Sequence, residues 1–251
     1  MSDTMDVEAY LEQGGVLTSP ANAPPRYRGE LMRLMATFVD SELSGSAGFA
    51  DRINDAPGVK ERIAAARIVL EKCDHAERVL KIMSQFGADV ARYAVHRPWG
   101  ARIAREVGVG LQRHGGDMRL SVFHYPLQGW IDAVVFNALM GAAVDLQLQE
   151  FAQISYAPLA EEFRAIAPRE RRHAELGVEG LREIVVAEEG RSRAQACAAY
   201  WRPRVAESFG VAGSPRFETL RRFGLRHRRN EDLLAGWRSR VDALLGELKL
   251  S

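Results

Sequence analysis

The sequence predicts an all-α fold: a bundle of four long helices with additional peripheral helices. Apolar residues recur at helical spacing through four long segments, at about 27–43, 59–86, 130–151 and 157–188. No segment alternates strictly as a half-buried strand would, and no Gly-rich phosphate loop or repeat of roughly 20–50 residues is present. Length and composition agree: 251 residues, 47% hydrophobic, suit one large domain with a full core.

Taken in order, residues 1–25 read as a flexible N-terminal arm and 26–251 as a single helical domain. Tyr27 to Leu43 carries the stripe Leu31, Leu34, Met35, Phe38, Val39, with Asp40 and Glu42 near its end. The run Ser44-Gly45-Ser46-Ala47-Gly48 then loosens the chain. Val59 to Phe86 forms a long helix with His75 at its middle. Pro98-Trp99-Gly100 and Gly115-Gly116 break the next stretch, with a shorter helix between them. Trp130 to Phe151 follows with Asp132 and Asp145, two acids that are costly in an apolar segment unless paired, hydrated or metal-bound. Ser155-Tyr156-Ala157-Pro158 opens a helix that runs to about Glu188, kinked or restarted at Pro168. Another helix spans about 193–209. The basic run from Arg221 to Asn230 leads into a last amphipathic helix bearing Leu233, Leu234, Trp237, Val241 and Leu244.

Charge and cysteine content exclude several classes. A net charge of +1 argues against a general nucleic-acid binder. Two cysteines, Cys73 and Cys197, cannot make a disulfide framework, which points to a reducing, cytoplasmic setting. Met1 to Gln13 is acidic and lacks the apolar centre of a signal peptide. No uncharged apolar run reaches the ~18 residues that span a membrane; the longest, Ala133 to Val144, contains Asn137.

The chemistry centres on Glu170 and His173. Their i, i+3 spacing sets a carboxylate and an imidazole on one helix face. Bundles that bind two metal ions draw such pairs from two helices and one carboxylate from each of the other two. An acidic helix with Glu42 precedes the His75 helix, and an acidic helix with Asp145 precedes the Glu170–His173 helix. That is the logic of a ferritin-like carboxylate metal bundle. Its donors suit iron or manganese, and no thiolate-rich set suggests zinc or iron–sulfur.

Several segments, in order, resemble the catalytic subunit of the bacterial phenylacetyl-CoA epoxidase: Tyr27-Arg28 to Ser41-Glu42-Leu43, the His75 helix, His124-Tyr-Pro with Trp130-x-Asp132, Ser155-Tyr-x-Pro158 with Glu170-x-x-His173, and Leu225 to Leu233. Benzoyl-CoA epoxidase is a more distant relative. The resemblance covers nearly the whole chain. It implies a ferritin-like fold, a non-haem diiron centre, and a monooxygenase that inserts one oxygen atom from O2 into the aromatic ring of an acyl-CoA. It also implies a separate reductase and a related, iron-free helical partner subunit.

Two positions depart from that pattern. The resemblance implies a glutamate three residues before His75, where this chain has Lys72, and an acid on the third helix at Gly141 (Met140 on a one-residue slip). A charged lysine only donates and cannot ligate a metal; it could instead bridge Glu42 or Glu170 where an ion would sit. Glu71, four residues before His75, and Asp145, one turn after Gly141, are possible substitutes; Asp74 diverges by ~100° from the facing position. A diiron site, a single-metal site and a metal-free bundle all stay open. Two functions follow. One is an oxygenase of phenylacetic acid catabolism holding iron, or manganese, at Glu42, His75, Glu170 and His173. The other is a non-catalytic homologue with a degenerate metal site, acting as scaffold, partner subunit or binder of an acyl-CoA-like ligand. Arg226, Arg228 and Arg229 could contact phosphates of such a ligand or form a solvated cationic face. A homodimer or a hetero-complex with a related helical subunit is expected, with neither nucleic acid nor membrane as partner.

Overall fold

The computed structural model describes residues 6–95, 98–108 and 116–250, apart from the side chains of Arg92, Ala94 and Val95. Its helices are α1 (Val7–Glu12), α2 (Pro25–Ala50), α3 (Val59–Gln85), α4 (Val90–Val95), α5 (Gly129–Phe151), α6 (Ala157–Ile184), α7 (Glu188–Glu207), α8 (Arg216–Arg222) and α9 (Asn230–Glu247). The fold is all-α and ferritin-like. Helix α2 packs along α3, α5 packs along α6, and the two pairs close on each other through α3 and α6. Helices α7 and α9 cover the outer side of α5.

The four bundle helices follow from the apolar stripes, but α2 outruns its expected end. It continues through Ser44-Gly45-Ser46-Ala47-Gly48 to Ala50. These small residues serve close packing. A Cβ on Gly45 would stand 3.2 Å from the Phe123 ring and 3.5 Å from the Lys72 side chain. Ser44 donates to the Trp99 carbonyl at 2.9 Å and Ser46 to the Val69 carbonyl at 3.1 Å. Helix α6 likewise continues through Pro168.

Helix α5 is long and apolar enough to cross a membrane by length and composition, and 72% of that apolar window is buried inside the fold. It is the central core helix, apolar on every side because α6, α7 and α9 surround it. Its acid Asp132 accepts from Trp201 Nε1 at 2.8 Å and holds Arg105 through two bonds of 2.8 and 3.2 Å. It also accepts from the Gln128 amide at 2.8 Å, at the start of the helix.

The N-terminal stretch, expected as a loose arm, carries α1 and is anchored to the bundle by buried Val7, Leu17 and Ala23. Leu17 is fully buried, and its carbonyl accepts from the Ala157 amide at 2.9 Å. Of the short helix expected between Pro98 and Gly116, residues 101–108 are not helical and 109–114 lie outside the described residues, as does Gly115. Trp99 and Met118, on either side of those residues, are tied to buried Asp40. That carboxylate accepts from Tyr93 Oη at 2.7 Å, Trp99 Nε1 at 3.3 Å and the Met118 amide at 2.7 Å.

Candidate functional site

Glu42, Lys72, His75, Glu170 and His173 converge between α2, α3 and α6, all nearly inaccessible to solvent. Helix geometry explains the meeting. Lys72 and His75 share one face of α3, Glu170 and His173 one face of α6, each pair three residues apart. The lysine ammonium sits at the centre. Its Nζ donates to Glu42 Oε1 at 3.1 Å and to Glu170 Oε1 and Oε2 at 2.9 and 3.1 Å. His75 Nδ1 lies 3.2 Å from Glu42 Oε2 and 3.1 Å from Glu170 Oε1. His173 Nδ1 lies 3.2 Å from Glu170 Oε1.

The electrostatics follow from these contacts. Burial alone would lower the Lys72 pKa, but the charges of Glu170 and Glu42 outweigh it and raise it. Burial also opposes charge on His75, and its hydrogen bonds to Glu170 and Glu42 overcome that, raising the imidazole to about 9. Burial would raise Glu170, yet the Lys72 ammonium and the two imidazoles hold it well below the usual carboxylate range. At neutral pH, Lys72 and protonated His75 therefore face the two carboxylates.

This gives a pH prediction. Unfolded, Glu170 titrates near 4.5 and His75 near 6.5. Glu170 has a lowered pKa, so its stabilisation is complete above 4.5 and is lost as pH falls. His75 has a raised pKa, so its stabilisation is complete below 6.5 and is lost as pH climbs through about 9. Denaturant melts should show a decline on the order of 3 kcal/mol across that upper window. A flat profile there would mean that His75 is neutral in the fold.

By spacing, Glu42, His75 and Glu170 could present ligand atoms to one ion, since these lie within 4.8 Å of one another. The donor set does not fit the implied diiron centre. Lys72 Nζ occupies the carboxylate oxygens that would bind metal. His75 Nε2 is buried without a partner, but it is Nδ1 that faces the carboxylates.

Asp145 does not enter the cluster, and Glu71 meets it only at His173. Asp145 is on the outer side, bonded to Arg240 at 2.7 Å, Gln149 at 2.8 Å and Arg171 at 3.4 Å. It shares its face of α5 with Gly141, and that face abuts α6: a Cβ on Gly141 would stand 2.6 Å from Ala174 Cβ and 2.8 Å from its Cα. Glu71 is half-buried behind His173 and accepts from, or shares a proton with, Nε2 at 2.7 Å. It holds that ring in place but touches neither glutamate of the cluster.

Beside Glu42 a cavity of about 380 Å³ opens between α2 and α5. Its wall is largely apolar, with Phe38, Phe123, Met140, Val144 and Phe151. It follows one face of α2 from Glu30 and Arg33 to Ser41 and Glu42, a run of about 18 Å at 1.5 Å per residue. Arg216 and Arg226 stand at the end away from Glu42, where Arg216 pairs with Glu30. Of the expected phosphate contacts only Arg226 lines the cavity. Arg228 turns to the Asp232 carbonyl, and Arg229 to Glu218 and the Phe217 ring. Sequence reasoning missed Arg33 and Arg216. The one signal for Arg33 was its i, i+4 spacing with Thr37 and Ser41; for Arg216 there was none.

Fold and site together define a ferritin-like carboxylate bundle in which a buried lysine stands among the glutamates and histidines. The chain belongs to the phenylacetic acid catabolic protein family, whose model matches residues 5–251. Membership implies a part in phenylacetic acid catabolism. Among curated proteins, none matches the chain.

Proposed function

We propose that this chain is a metal-free, non-oxygenating member of its family. It holds an acyl-CoA-like ligand in the α2–α5 cavity and works in the cytoplasm beside a related helical subunit. The observation that carries this reading is the position of Lys72 Nζ, 2.9–3.1 Å from oxygens of both Glu42 and Glu170. The cavity supports the ligand class: an apolar tube leads toward the cluster, and three guanidinium groups at its far end suit phosphate oxygens.

Metal content tests it. Protein grown with iron and manganese should carry far less than one ion per chain by elemental analysis. About two ions would restore the diiron oxygenase with its reductase. About one would favour a single-iron site on Glu42, His75 and Glu170, the reading that their mutual spacing supports. The ligand is tested separately by calorimetry with phenylacetyl-CoA, where Arg33→Gln with Arg226→Gln should weaken binding at least tenfold. Equal binding by the variant would remove the cavity from the proposal.

A further inference from the structure

The mouth of the α2–α5 cavity is bounded on one side by α8, which supplies Arg216 and Leu220 to its wall. The seven residues of α8 are held unequally at their two ends. The C-terminal end is fixed. Phe223 is buried with its ring 5.7 Å from that of Tyr27, and the Gly224 carbonyl accepts from the Ser155 amide at 2.8 Å. The Leu225 amide returns to the Leu220 carbonyl at 2.8 Å. The N-terminal end follows Gly213, which has φ +63° and open space where a Cβ would stand. Among the described residues, no other helix packs extensively along α8. At its free end the ties are Phe217, buried against the Arg229 guanidinium, and the ion pair of Arg216 with Glu30 of α2.

The charges at the mouth allow that pair to open. Glu30 and Arg33 are three residues apart on α2 and both line the cavity, so Glu30 can turn to Arg33 when Arg216 leaves. Arg33 has no hydrogen-bonded or ionic partner among the described residues. The neighbouring charges keep their partners in either position. Arg226 stays on Gln147 and Asn230, and Arg222 on Glu8 at the fixed end. Glu218 travels with α8, and the long, exposed Arg229 side chain that holds it can follow. Exchanging one exposed ion pair for another changes the energy little. Burial of Phe217 makes the closed position the resting one.

We propose that α8 is a hinged gate on the cavity, turning about Phe223 and Gly224 with Gly213 as the free joint, and latched by Arg216 on Glu30. Opening widens the mouth. An anionic group on the entering ligand then takes Arg216 in place of Glu30 and draws the gate shut behind it. The gate rests on the reading of the cavity as a ligand site.

Thiol labelling of the full chain reads the gate without any ligand. In a Cys73→Ser, Cys197→Ser background, Met140→Cys places a thiol in the cavity wall. The reagent is 4,4′-dithiodipyridine, which is uncharged and so is not steered by substitutions at the mouth. Glu30→Gln and Arg216→Gln should each raise the labelling rate roughly twofold to fivefold, the factor that one exposed ion pair contributes. Sodium chloride at about 0.5 M should produce the same rise in the parent and little in either variant. Glu30→Arg with Arg216→Glu should bring the rate back toward that of the parent, which a mouth widened by a shorter side chain would not do. Glu8→Gln, at the fixed end, should leave it unchanged. An unchanged rate in Glu30→Gln, or a parent indifferent to salt, overturns the latch. An equal rise in Glu8→Gln overturns the hinge, because α8 would then be loosening as a whole. Labelling that follows the latch while phenylacetyl-CoA fails to bind would overturn the ligand reading and leave the gate standing.

Discussion

Lys72→Met is expected to destabilise the fold by about 3–5 kcal/mol, the effect of removing one partner from a buried ionic cluster. For a chain of this size that corresponds to a fall in Tm on the order of 10 °C. The reason is specific. Glu42 and Glu170 are buried, and Lys72 Nζ is the common donor to both. Without it, two carboxylates face each other with only the imidazoles to balance them. The triple variant Lys72→Met, Glu42→Gln, Glu170→Gln should recover most of the loss, because the amides carry no charge. If Lys72→Met costs less than about 1 kcal/mol, the lysine is not what balances the carboxylates. Added ferrous iron should raise the Tm of Lys72→Met and leave that of the unmodified protein alone; an equal rise in both would show that metal reaches the glutamates despite the lysine.

Gly141→Asp, the substitution that would return an acid to the third helix, is expected to cost roughly 3 kcal/mol or more by overpacking alone. The added Cβ would lie 2.6 Å from Ala174 Cβ and 2.8 Å from the Ala174 backbone, so α6 itself would have to move. The contact is reinforced one turn along, where a Cβ on Gly177 would stand 2.7 Å from the Ala138 nitrogen. Gly141→Ala separates the two contributions. Steric closure predicts that alanine alone produces most of the loss in denaturant midpoint, with aspartate adding the desolvation of its charge. Lys72→Glu with Gly141→Asp should therefore take up no more iron than Lys72→Glu alone. Two ions in that double variant, with a normal midpoint, would mean that α5 and α6 separate readily and that Gly141 still faces a metal position.

The bundle was legible because its four helices carry long apolar stripes, and the convergence of Glu42, His75, Glu170 and His173 was legible because i, i+3 spacing fixes which side chains share a face. What helical periodicity does not state is which neighbour a face will meet. Asp145 and Gly141 do share a face, as their spacing requires, but that face meets Ala174 and solvent-side arginines rather than the cluster. Glu71 shares a side with His75, yet the nearest partner there is His173 Nε2. The run from Ser44 to Gly48 reads as a break by composition; small side chains instead let α2 lie close to α3 and to the segment bearing Trp99 and Phe123. Arg33 and Arg216 are far apart in the chain, and only the docking of α8 beside α2 brings them to one cavity mouth.

The tie between Asp40 and the described residues that precede α5 bears on the shape of the cavity. Met118, Leu120 and Phe123 of that segment form one wall of the cavity, while the other walls belong to helices. Asp40 is one of its anchors and accepts from the Met118 backbone amide as well as from side chains, beside the Leu120 amide that donates to Ser41 Oγ. A backbone donor is present whatever the side chain. Exchange of a few residues in this segment would therefore reshape the cavity without touching the helical frame or the buried charges at Glu42, Lys72 and Glu170.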